Sequence, residues 1–75
     1  MPTLLIQEGF KFFFYANEHL PVHVHVSKGS NYAKINLYNM RVVESCMKSA
    51  ELKRAVELTT EHQAAFMRRW HEFFN

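Results

Sequence analysis

Hydrophobic and polar positions alternate most regularly around Val22, Val24 and Val26, which bracket His23 and His25. A period of two is that of a β-strand whose faces differ in chemistry. It sends the three valines to one side and both histidines to the other. The same alternation extends through residues 10–16 and 32–37, with matching inward sets Phe10, Phe12, Phe14 and Ala33, Ile35, Leu37. Residues 3–6 read as a further short strand. Glu8-Gly9, residues 17–21 and residues 27–31 supply the turns, and Pro21 biases Leu20 away from helix. Residues 38–48 are ambiguous: residues 40–43 add a short strand, or the whole stretch is a loop.

From Ser49 the period lengthens. Leu52, Val56, Thr59, Gln63, Phe66, Trp70 and Phe73 (or Phe74) recur at steps of three and four, which marks one face of a helix. Ser49 is placed to cap its N-terminus, with Glu51 in the first turn where the helix dipole favours an anion. Lys53, Arg54, Glu57, Glu61, Arg68 and Glu72 fall on the other side as a solvated face. The pattern therefore predicts an α+β domain. An antiparallel β-meander of three to five strands, over residues 3–43, packs on one C-terminal α-helix over residues 49–74. Residues 1–75 form a single domain, with no repeat, linker or low-complexity tract.

Composition narrows the setting. A chain of 75 residues buries only about 60% of its unfolded surface, yet 48% of this one is hydrophobic, with seven Phe, three Tyr and one Trp. That excludes a disordered tail and leaves aromatic rings to spare for a surface or a partner. The single cysteine, Cys46, can form neither an internal disulfide nor a thiolate cluster, so a reducing, cytoplasmic location is expected. No signal-peptide pattern and no membrane-spanning run is present. A formal charge of +2 does not by itself imply nucleic acid. The chain contains no Asp, so any carboxylate in a site is a Glu.

If the valines face the helix, the open sheet face carries Lys11, Phe13, Tyr15, His23, His25, Tyr32, Lys34 and Asn36. Cations for phosphates and flat rings for unstacked bases are what single-stranded nucleic acid asks for. Lys11, Phe13, Tyr15, Tyr32 and Lys34 are the candidate contacts. The same rings would equally serve cross-strand packing, a homodimer interface or a protein partner.

His19, His23 and His25 fall within seven residues, beside Glu18. Imidazole titrates near neutrality, and three roles compete for this group. In the first, His23 and His25 act as general base and general acid on RNA, oriented by His19 and Glu18. Lys34 or Lys11 would stabilise the phosphorane charge, giving a metal-independent endoribonuclease that needs no cofactor. In the second, the i, i+2 pair ligates a metal, with His19 or Glu18 as third ligand. In the third, the cluster only organises its loop: Glu18 pairs with an imidazolium, and His19 satisfies backbone groups near Pro21. Nucleophilic catalysis has least support, because Cys46 is remote and no Ser lies among the histidines.

Several segments together resemble a known family. They are Met1-Pro2-Thr3, Gly9-Phe10, Phe12-Phe13-Phe14-Tyr15, Asn17-Glu18-His19, Pro21 with His23-Val24-His25-Val26, and Trp70 with Glu72-Phe73-Phe74. This set is similar to the small bacterial proteins of domain-of-unknown-function family four-one-six-zero, over nearly the whole chain. Glu18, His19, Pro21, His23 and His25 match its central motif. Two departures stand out: Val22 replaces a second proline, and Lys48 stands where a capping Ser is usual. The resemblance carries no established reaction. It implies genes arranged like toxin–antitoxin pairs, hence a small cognate protein partner and an RNA-directed activity.

Overall fold

Alternation and turn chemistry build the sheet. The computed structural model describes residues 2–74. Its strands are β1 (Thr3–Gln7), β2 (Phe10–Phe13), β3 (His23–Lys28), β4 (Asn31–Asn36) and β5 (Val42–Ser45), antiparallel and in sequential order. Glu8 and Gly9 both take positive φ, 55° and 81°. That pair of signs matches the twist of a tight hairpin, and Gly9 supplies half of it without steric cost. Between β4 and β5 the Asn36 side chain accepts N–H bonds from Tyr38 (2.8 Å) and Asn39 (3.3 Å), a local turn of the kind Asn favours. The ambiguous region thus contains a fifth strand, displaced two residues beyond the expected 40–43.

Register fixes which side chains go inward. Phe12 faces Val26 across β2–β3, Val26 faces Ala33 across β3–β4, and Val24 faces Ile35. All nine expected inward residues are buried: Phe10, Phe12, Phe14, Val22, Val24, Val26, Ala33, Ile35 and Leu37. An irregularity between Thr3 and Leu5 shifts the β1 register, and both Leu4 and Leu5 pack against the core. One extra residue in a strand has this effect on facing.

The helical layer is two segments, α1 (Ser49–Glu61) and α2 (Gln63–Phe74), where the sequence pattern suggests one. The break falls at His62, after Thr59 and Thr60, whose hydroxyls donate back to the Ala55 and Val56 carbonyls at 2.7 and 2.8 Å. Two consecutive back-bonding threonines bend a helix at such a point. Gln63 anchors the restart by donating to the Leu37 carbonyl. The start also differs from expectation. Lys48 occupies the N-cap and makes no side-chain cap bond, and Ser49 is the first helical residue.

The buried helix residues are Ala55, Leu58, Thr59, Phe66 and Trp70. Leu52 and Val56, expected inside, are only half-buried. Steps of three and four fit two neighbouring stripes in α1, and the small Ala55 lets the helix approach the sheet along the other one. Phe66 meets Phe12 at 5.4 Å between ring centroids, and Trp70 meets Phe14 edge-on at 5.1 Å. Of the two C-terminal candidates, Phe74 packs on Phe14 and Trp70, while Phe73 is 47% exposed. Arg54 forks onto the Glu8 carboxylate, its Nε donating at 2.9 Å, and ties α1 to the β1–β2 turn. No helix is long and apolar enough to cross a membrane among the described residues.

Urea denaturation tests this packing. Phe12→Ala should cost about 3–5 kcal/mol, the usual penalty for emptying a core aromatic site. Phe73→Ala, at an exposed ring, should stay within about 0.5 kcal/mol of wild type.

Candidate functional site

The connection from β2 to β3, residues 14–22, folds back so that Glu18 lies against the first turn of β3. The Tyr15 backbone N–H donates to Glu18 Oε2 at 3.0 Å. Glu18 Oε1 lies 2.9 Å from His23 Nε2, and Oε2 lies 2.7 Å from His25 Nε2. The other ring nitrogen of His23, Nδ1, lies 2.7 Å from the Pro21 carbonyl. A carbonyl only accepts, so Nδ1 carries a hydrogen, and the ring is held at both ends. The Leu20–Pro21 peptide is cis.

The two imidazoles are neighbours, 5.0 Å apart and nearly perpendicular, but their surroundings differ. His23 is 2% exposed and has Trp70 against its ring at 5.2 Å. His25 is half-buried, and its Nε2 has no aligned hydrogen-bond partner: the 2.7 Å approach to Glu18 is off-line. The expectation that both histidines stand together on an open face thus holds for their adjacency and for His25. His23 is enclosed, because α2 brings Trp70 around the end of the strand. His19 is exposed and outside the cluster of Glu18, His23 and His25.

Electrostatics follow from this packing. Burial works to raise the Glu18 carboxyl, but the Tyr15 N–H and the two imidazoles outweigh it and hold it below its ordinary 4.5. Burial pushes His25 below its ordinary 6.5; Glu18 opposes this, and the neighbouring His23 and Lys34 reinforce it. His25 is therefore a neutral imidazole at neutral pH, beside an ionised Glu18.

His25 also belongs to a cross-strand row. Phe13 pairs with His25, His25 with Lys34, and Lys34 with Glu44. The Phe13 and His25 rings stack at 5.6 Å and 22°, and Tyr15 meets His25 edge-on at 4.6 Å. Lys11 Nζ sits 5.5 Å from the Phe13 ring centroid. Tyr15 and Tyr32 are half-exposed, and an open groove of about 310 Å³ runs over Phe13, Tyr15, His25, Tyr32 and Glu44. The five residues expected to contact nucleic acid, Lys11, Phe13, Tyr15, Tyr32 and Lys34, share the face on which His25 lies, but Phe13 is buried there, 8% exposed beneath its neighbours. Sequence reasoning missed Trp70 and the Pro21 carbonyl as parts of the site, for which no local signal exists. It also missed Glu44, whose charge opposite Lys34 becomes readable once β5 is placed.

Stability should fall on acidification. The unfolded chain protonates His25 near 6.5, where the folded chain still resists, so stability is lost as pH drops below that value toward the folded one. Glu18, with its folded value below 4.5, adds a second loss at more acid pH. Urea midpoints between pH 8 and pH 3, in chelator, should decline in these two stages. His25→Asn should flatten the upper one.

Searches of curated proteins and of solved structures return no match. One family model, described as Domain of unknown function (DUF4160), matches residues 9–71, a span that runs from β2 into α2 and includes every residue of the cluster. This chain belongs to that DUF4160 family.

Proposed function

We propose that the open face of the sheet binds single-stranded RNA. The observation that carries this reading is the pair of half-exposed rings Tyr15 and Tyr32 beside the His25–Lys34 pair, with buried Phe13 as the floor under His25. Flat rings set into a sheet accept unstacked bases, each base worth about 1–3 kcal/mol. Lys11 and Lys34 flank the rings and supply cations for the backbone. The face as a whole stays close to neutral because Glu44 opposes Lys34, so stacking supplies more of the affinity than charge. Cleavage by a pair of imidazoles is less well supported than binding, since His23 offers no nitrogen to a ligand on this face. In a toxin–antitoxin pair, the setting suggested by the family resemblance, a small cognate protein would cover these rings to block RNA.

Fluorescence anisotropy with a short labelled oligouridylate tests the reading. Tyr15→Ala and Tyr32→Ala should each weaken binding about tenfold. Lys34→Ala should reduce the slope of log affinity against log salt by about 0.7, one phosphate contact on a single strand. Absence of binding at micromolar protein, or affinity unchanged from wild type in all three variants, overturns it.

A further inference from the structure

Glu18, His23 and His25 bring one carboxylate and two imidazole nitrogens within 4.8 Å of one another. One of these atoms, His25 Nε2, is left without an aligned hydrogen bond. The Pro21 carbonyl takes the Nδ1 hydrogen of His23, which in the neutral ring leaves a lone pair on Nε2, turned toward Glu18 Oε1. His25 Nε2 is buried, lies 2.7 Å from Glu18 Oε2, and has no aligned partner. A buried carboxylate set against two imidazole nitrogens needs something positive between them, a proton or a metal ion. The off-line approach of His25 Nε2 gives a proton no straight path there.

We infer that Glu18, His23 Nε2 and His25 Nε2 form a binding site for a divalent transition-metal ion of the zinc class. Two imidazoles and a carboxylate suit such an ion and do not suit magnesium or calcium, which prefer oxygen. Three protein donors leave a fourth position for water or a ligand. The outer shell is already in place: Pro21 fixes the His23 ring through Nδ1, and Tyr15 N–H fixes the carboxylate. These are the supports that metal-bound histidines and carboxylates ordinarily have. A cleft of about 300 Å³ between Leu20, Trp70 and His71 opens onto Glu18 and gives an ion a way in. Donors on a tetrahedral ion sit about 3.4 Å apart at metal–ligand distances near 2.1 Å. The contacts at 2.7 and 2.9 Å therefore open by about 0.5–0.7 Å on binding, within reach of small side-chain rotations. The site assigns the third ligand to Glu18 and excludes His19, which the sequence alone left open.

The test uses tag-free protein stripped with EDTA, titrated with Zn2+ by calorimetry and with Co2+ by visible absorption, with circular dichroism on each variant. The expected result is one ion per chain. Affinity should drop at least about tenfold in Glu18→Gln and in His25→Ala, the loss that even an outer-shell partner causes. His19→Ala should bind as wild type does. Nitrogen chemical shifts of the wild-type imidazoles, with and without Zn2+, decide the matter if either variant fails to fold. Movement of Nε2 in both His23 and His25, with Nδ1 of His23 still protonated, supports the site. No stoichiometric binding, unmoved Nε2 shifts, or affinity that survives in folded Glu18→Gln and His25→Ala overturns it, whatever His19→Ala does.

Discussion

Phe12 faces Val26 and Phe13 faces His25 across the β2–β3 ladder, and both the core and the site depend on that pairing. It puts Phe10, Phe12 and Phe14 on the same side as Val22, Val24 and Val26, where all six are buried. A slip of one residue would turn one of these strands over and expose its three inward side chains. Each is worth about 1.5–3 kcal/mol when buried, so the error would cost several kcal/mol against a total stability of about 5–15 kcal/mol. The same slip would take Phe13 or His25 off the face opposite the helices. The energetics of the core thus hold the chemistry of the open side in place.

The second constraint is electrostatic. Withdrawing a carboxylate from water costs several kcal/mol unless partners replace its hydration. The Glu18 side chain is only 9% exposed, and its oxygens meet the Tyr15 N–H and two imidazole nitrogens. Each partner has a different structural origin. Tyr15 follows the end of β2, and His23 and His25 belong to β3. The carboxylate therefore fastens the 14–22 connection to the strands that it joins. Trp70 closes the fourth side from α2, where it also packs on Phe14. One indole is at once part of the core and a wall of the cluster.

Facing was legible in the sequence because a period of two has only two phases, and hydrophobic content chooses between them. The helix was harder. Leu52, Val56 and Thr59 form one stripe and Leu52, Ala55, Leu58 and Thr59 another; only packing against the sheet selects Ala55 and Leu58. The break at His62 comes from two threonines whose hydroxyls turn back on the helix, a geometry that propensity does not encode. The cluster was half legible. Close spacing announced Glu18, His23 and His25, but burial of His23 needed Trp70, which lies 47 positions along the chain (70 − 23). His19 has the same residue type in the same stretch, yet it points to solvent because the loop commits its neighbour Glu18 inward.

His25 joins the two constructions physically. Its Nε2 lies in the Glu18 cluster, and the plane of the same ring stacks on Phe13 and receives the edge of Tyr15. An imidazole is rigid, so whatever orients Nε2 also sets the tilt of that plane, and whatever presses on the plane re-aims Nε2. Occupants of the cluster and of the open face would then be coupled through one ring. Such coupling is reciprocal: each would alter the affinity of the other by the same factor. Neutral His25 suits both positions, since burial and the nearby Lys34 disfavour a charged ring, and only the neutral ring keeps a lone pair to offer an ion.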